Sequence, residues 1–176
     1  MKTVVARPRR DESFEYYWRY IDRVPGEDAA AALGAQGDAT LALLARLDDR
    51  AALHRYAPGK WSIKEVLGHM ADTERVMSYR ALRIGRDDAT PLAGFDENRY
   101  VPAAGCDRRP LDALRGELRV VRAATLSLLD SFDAEALTRR GEAAGQPVTV
   151  RALLWIIAGH ELHHLAVLRE RYGIGG

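Results

Sequence analysis

The sequence predicts an all-α protein, an up-and-down four-helix bundle with an extra short helix near its N-terminus. Three observations carry this. Four long segments, residues 37–50, 62–85, 110–132 and 149–172, read as helix. Pro- and Gly-containing breaks separate them. No alternating apolar–polar run is long enough to specify a strand.

Residues 11–23 form the short first helix, rich in aromatics (Phe14, Tyr16, Tyr17, Trp18, Tyr20) and stopped by Pro25-Gly26. Residues 27–33 add a turn. The first bundle helix, 37–50, places Leu41, Leu44 and Leu47 at helical spacing, and Pro58-Gly59 ends that region. Ser62-Ile63-Lys64-Glu65 reads as a capping box, in which serine and glutamate side chains satisfy two orphan amides. The second helix runs from there to about Gly85. Residues 86–109 read as a loop rich in Asp, Pro and Gly, and loops of that length inside a compact domain are often functional. Pro110 suits a first helical position and starts the third helix, which ends near Phe132. Residues 133–138 make a further turn, and Gly141 to Pro147 form a loop. The last helix spans Thr149 to Tyr172, with Gly173, Gly175 and Gly176 as stop signals.

The chain of 176 residues has the length of one domain, taken as 1–176, and its 47% hydrophobic content suffices for a core. Its net charge of +1, from 26 basic and 25 acidic residues, is dispersed along the chain. That argues against nucleic acid or a membrane as the partner and leaves a small molecule as the expectation. Cys106 is the sole cysteine, so no internal disulfide forms, which fits a cytoplasmic location. The first ten residues lack the apolar run of a signal peptide. No segment reaches the ~18 apolar residues that span a bilayer.

Four of the five histidines lie in two predicted helices. At ~100° per residue, His160 and His164 fall roughly 40° apart. The apolar residues Leu153, Ile156, Ile157, Val167 and Leu168 centre near the direction of His164. His163 lies roughly 100° away, toward the flank. On the second helix, Val66, Met70, Thr73, Met77 and Ile84 define an inner face, and His69 sits at its edge pointing inward. Inward imidazoles are costly without partners for their nitrogens. A metal shared between the two helices would satisfy all three and leave open coordination positions. A lone inward histidine is more often a hydrogen-bonded core residue; a pair at i,i+4 with a third on a facing helix shifts that balance.

His160-Glu161-Leu162-His163-His164 also satisfies the H-E-x-x-H pattern of zinc proteases. Only 12 residues follow His164, and Val167 stands where the extended motif needs glycine. A protease is therefore disfavoured.

The run Gly59-Lys60-Trp61-Ser62-Ile63-Lys64-Glu65-Val66-Leu67-Gly68-His69-Met70-Ala71-Asp72-Thr73-Glu74-Arg75 resembles the DinB superfamily in its YfiT-like branch. So do Gly159 to His164, Leu168-Arg169-Glu170-Arg171-Tyr172 and the element Gly94-Phe95-Asp96-Glu97-Asn98. The resemblance covers about residues 27–172. It implies a four-helix bundle with a three-histidine site for nickel or zinc. Carried onto this chain, the ligands are His69, His160 and His164. It also implies homodimers, and activities of two kinds: thiol-dependent transfer using bacillithiol, mycothiol or glutathione, and metal-dependent hydrolysis.

The expected function is thus a metal-dependent enzyme that activates a low-molecular-weight thiol (S-transferase) or water (hydrolase). A non-enzymatic metal-binding, stress-related protein is the alternative. Asp72, one turn from His69, either orients that histidine or is a solvated face charge. Glu161 is a candidate base, but its direction places it at the flank, where a surface role fits better. Trp61 either lines a pocket or staples its helix. Arg80 points inward about three turns from His69, to bind a carboxylate, pair with a buried acid or snorkel outward. Asp96 and Asn98 either cap the site or form a turn. Cys106 is not expected to be a catalytic thiol.

Overall fold

The computed structural model describes residues 4–175. Met1, Lys2, Thr3 and Gly176, included above in the domain and its stop signal, lie outside the described residues. The helices are α1 (Trp18–Ile21), α2 (Ala29–Leu44), α3 (Ile63–Gly85), α4 (Glu97–Ala104), α5 (Leu111–Leu129), α6 (Ala134–Thr138) and α7 (Val150–Tyr172). Strands β1 (Arg140–Ala143) and β2 (Gln146–Thr149) form one hairpin between α6 and α7.

The long helices α2, α3, α5 and α7 make the expected four-helix bundle. Helix α3 packs on α5 and α7, and α2 packs on the same two from the other side. Trp155, Leu153, Leu154 and Ile156 of α7 are fully buried at its centre.

Each long helix starts where a side chain satisfies its first amides. Ser62 accepts from Glu65 N at 3.0 Å while Glu65 accepts from Ser62 N at 2.9 Å, the capping box read from the sequence. Thr149 accepts from Ala152 N at 3.2 Å to begin α7, and Gly173 ends it at φ 71°. Four expectations are corrected. Helix α2 runs from 29 to 44, not 37 to 50, because Asp28 accepts from Ala30 N at 3.0 Å and starts the helix early. Its end is fixed by Arg115 of α5, whose guanidinium donates to the carbonyls of Leu44 and Leu47. The helix expected over 11–23 is two 3-10 turns, Arg10–Glu12 and Glu15–Tyr17, followed by α1, because Ser13 is fully extended. The loop 86–109 contains α4, which Asp96 caps by accepting from Asn98 N at 2.9 Å. The loop 141–147 is the hairpin: Ala144 and Gly145 both hold positive φ, the geometry of a two-residue hairpin turn. Its four-residue strands are too short to show period-2 patterning.

The N-terminal segment is held against α7 by a close approach at Gly159. A Cβ there would lie 2.0 Å from the carbonyl oxygen of Tyr20 and 2.3 Å from its carbon. Gly159→Ala must therefore push α1 away from α7. It is expected to cost about 3 kcal/mol in urea denaturation, the upper range for overpacking. Gly116→Ala on α5, where an added Cβ meets nothing within 4 Å, is the control. It should stabilise by up to about 1 kcal/mol through helix propensity. Equal stabilities for the two variants would contradict this account.

Candidate metal centre

His69 on α3 and His160 and His164 on α7 converge in the bundle. His160 Nε2 lies 3.0 Å from His69 Nε2 and 3.1 Å from His164 Nε2. All three candidate donor atoms fall within 4.8 Å of one another. A single proton or lone pair on His160 Nε2 serves two such contacts poorly. Two nitrogens on a tetrahedral zinc ion at ~2.05 Å would sit about 3.3 Å apart, close to the 3.0 and 3.1 Å that separate His160 from each of its two neighbours. The chemistry also fits. Burial holds His69 down at about 4, and burial reinforced by the neighbouring imidazoles holds His160 and His164 well below the usual histidine range. The neutral imidazole is the form that ligates a metal. His163, expected at the flank, is half-buried; its ring meets Tyr20 at 5.4 Å and stays outside the triplet.

The cluster lies in the wall of a cavity of about 270 Å³. Tyr20 is one of its walls, with its ring 5.4 Å from that of His160. Burial, partly opposed by a hydrogen bond from Arg19, pushes its phenol up to about 12. Trp61 lines the cavity with its ring 4.9 Å from that of His69, which fits the pocket role of the two considered. Tyr172 fixes the backbone there, donating its hydroxyl to Trp61 O at 2.6 Å. Arg80 lines the same cavity, inward as its helical phase required.

The remaining candidates stand elsewhere. Asp96 is exposed and serves as the N-cap of α4; its neighbour Glu97 lines the cavity instead. Asp72 accepts from Arg75 at 3.3 Å and has no hydrogen bond to His69 among the described residues. Burial, partly offset by Arg75, pushes its carboxyl up. Cys106 is buried and has its thiol raised by that burial, so it is no ready thiolate.

Glu161 corrects the expectation of a surface role. It is buried, because α2 and α5 cover the flank that looked free from the sequence of α7 alone. Arg122 of α5 donates to Glu161 Oε2 at 2.7 Å and to both oxygens of Glu74 at 2.8 and 2.9 Å. Thr40 donates to the other Glu161 oxygen. Burial disfavours the charge on Arg122, but the bonds to Glu74 and the pull of Glu161 outweigh it and raise its pKa. Both Glu161 oxygens thus accept bonds inside the bundle, and Glu161 is not among the residues lining the cavity beside the histidines.

Sequence reasoning missed Tyr20 and Glu97 as parts of the site. Glu97 carried a usable signal, since it stands in the singled-out element Gly94 to Asn98. Tyr20 carried none: its partner lies 140 residues away, and the Gly159 notch that admits it is a feature of packing.

A family model of the DinB superfamily matches residues 32–168. No curated protein matches the sequence. Solved structures that share the fold include two of low sequence identity. YfiT from Bacillus subtilis, described as a probable metal-dependent hydrolase with an unusual four-helix bundle topology, is 18% identical. That match covers 96% of this chain and 94% of YfiT, with a TM-score of 0.69. A mycothiol-dependent maleylpyruvate isomerase is 16% identical, also at a TM-score of 0.69. That match takes in 84% of this chain and only 60% of the isomerase.

Proposed function

Because the chain belongs to the DinB superfamily, we propose that it is a metal-dependent enzyme acting on a small molecule, with His69, His160 and His164 as the metal ligands. The observation that carries this is the convergence of two buried imidazoles and one half-buried one, each with its pKa held down, on the wall of an open cavity. A three-histidine donor set suits zinc and nickel alike. A bound divalent ion would supply the positive charge that favours thiolate over thiol, or hydroxide over water, near neutral pH.

The surrounding residues favour a thiol as the nucleophile. Trp61, Tyr20, Phe95 and Met77 give the cavity an aromatic and apolar wall suited to an organic electrophile. A thiol needs little further help to lose its proton beside a cation. A metal-bound water loses its proton only near pH ~7, so hydrolysis gains more from a base, and Glu97 is the sole carboxylate among the residues lining the cavity. Glu97 is thus the specific observation behind a second reading, hydrolysis. A cavity of this size beside the histidines supports either enzyme reading over a protein that only stores metal.

The test is to purify the protein without a histidine tag and assay thiol consumption with bacillithiol, mycothiol, glutathione and cysteine against a panel of electrophiles, beside ester hydrolysis. Turnover should need zinc or nickel and disappear with a chelator. Glu97→Gln should leave S-transfer within about threefold and lower hydrolysis by 10²- to 10⁴-fold if that carboxylate is the base. Rates equal to the chelated background with every thiol and ester would overturn the proposal.

A further inference from the structure

Three cationic side chains among the described residues are buried: Lys64, Arg80 and Arg122, at 3%, 3% and 7% exposure. Two of them are balanced by acids. Lys64 pairs with Asp49, and Arg122 pairs with Glu74 and Glu161. Arg80 has no carboxylate within 4.0 Å among the described residues. Its protein partners are the Ala93 carbonyl at 2.7 Å and the Met77 sulfur at 3.6 Å, with the Phe95 ring 5.8 Å from its guanidinium carbon. Two of five N–H donors are thereby used, one of them on a weak acceptor. Burying a charge without a counter-charge is costly. Here the cost falls at the wall of the cavity that contains the histidines.

We infer that Arg80 is the anchor for a carboxylate on the ligand that reacts at the histidine cluster. A guanidinium fork matches a carboxylate with two parallel hydrogen bonds. Arg80 and Arg19 against Glu97 leave the cavity wall one net positive charge, which calls for a monoanion; a phosphate dianion would exceed it. Arg80 follows His69 by 11 residues on α3, which is about 20° of rotation and ~16 Å of rise. Side chains lean toward the helix N-terminus, so the guanidinium reaches back toward the histidines. The ligand therefore places its carboxylate on the order of 10 Å from its reacting atom.

That this ligand is a substrate rests on the function proposed above; the binding site itself does not. The probes are 3-phenylpropionate and its neutral analogue 3-phenylpropanamide, titrated calorimetrically into metal-free and zinc-loaded protein. Wild type should prefer the carboxylate by about 10- to 100-fold in both forms, the range for a hydrogen-bonded charge. Arg80→Met should reduce that preference below about threefold, with bound metal unchanged and a thermal midpoint no lower than wild type. Arg80→Lys, which keeps the charge and loses the fork, should fall between. The inference is overturned by a preference that survives in Arg80→Met, by one confined to zinc-loaded wild type, or by a wild type that binds neither probe.

A kinetic arm then locates the carboxylate. Substituting Arg80 should raise KM for whichever reactant bears it, distinguished by pairing N-acetylcysteine or its amide with an electrophile that has or lacks a carboxylate. Should His160→Ala retain its metal while Arg80-dependent binding persists, the metal-enzyme reading fails and the anchor stands.

Discussion

Replacing His160 with alanine is expected to bring bound zinc or nickel from near one equivalent per chain to below a tenth. His160 has the largest effect because its Nε2 is the atom in contact with both other imidazoles, at 3.0 and 3.1 Å. Loss of an outer partner of a metal ligand already costs 10- to 100-fold in affinity, so loss of the central ligand should cost on the order of a hundredfold or more. His163→Ala should keep its metal, since that ring lies outside the triplet. Elemental analysis of untagged protein reads both results, and circular dichroism checks that the helices persist. Equal metal in wild type and His160→Ala would remove the site. Acid gives a second readout. His69 titrates at about 4 in the folded protein against 6.5 ordinarily. Below pH 6.5 the unfolded chain takes up a proton that the folded chain refuses. The stability from keeping His69 neutral is complete above 6.5 and is lost as pH falls through about 4. Between pH 7 and pH 5 metal-free protein should lose about 2 kcal/mol from this residue, and His69→Ala should lose correspondingly less.

The legible parts of this chain are those written in local chemistry. The box Ser62–Glu65 announces the start of α3, and helical phase separates His160 and His164 from His163. Both are properties of one helix, computable without its neighbours. The errors arise where a second element decides. Glu161 looks like a flank residue until α5 brings Arg122 against it. The end of α2 is set by Arg115, 71 residues beyond Leu44. The hairpin turns on two residues with positive φ, Ala144 and Gly145, of which only glycine signals its preference. Tyr20 reaches His160 because residue 159 has no side chain, a fact about space that no periodicity contains.

The largest stability effect should come from Arg122, whose guanidinium reaches groups on every long helix. It binds Glu74 of α3 and Glu161 of α7, donates to Leu33 O of α2 at 2.9 Å, and itself belongs to α5. Arg122→Met would leave two carboxylates buried together without a cation. Breaking a buried ionic cluster in this way costs about 3–5 kcal/mol. The pH dependence identifies the cause. Two unpaired buried acids favour their protonated forms, so the deficit of this variant relative to metal-free wild type should shrink as pH falls from 7 to 5. The triple change Glu74→Leu, Arg122→Met, Glu161→Leu should recover most of the loss, because apolar packing can replace an intact ionic cluster at little net cost. Urea denaturation of the metal-free proteins at both pH values measures all of this. A single variant as destabilised at pH 5 as at pH 7 would show that lost packing, not stranded charge, is responsible. The effect should extend to the histidines. Glu161 precedes His164 by three residues and follows His160 directly, so the cluster that clamps Glu161 also sets the rotation of α7 about its axis. Arg122→Met should therefore release metal to a chelator faster than wild type even at temperatures where it remains folded.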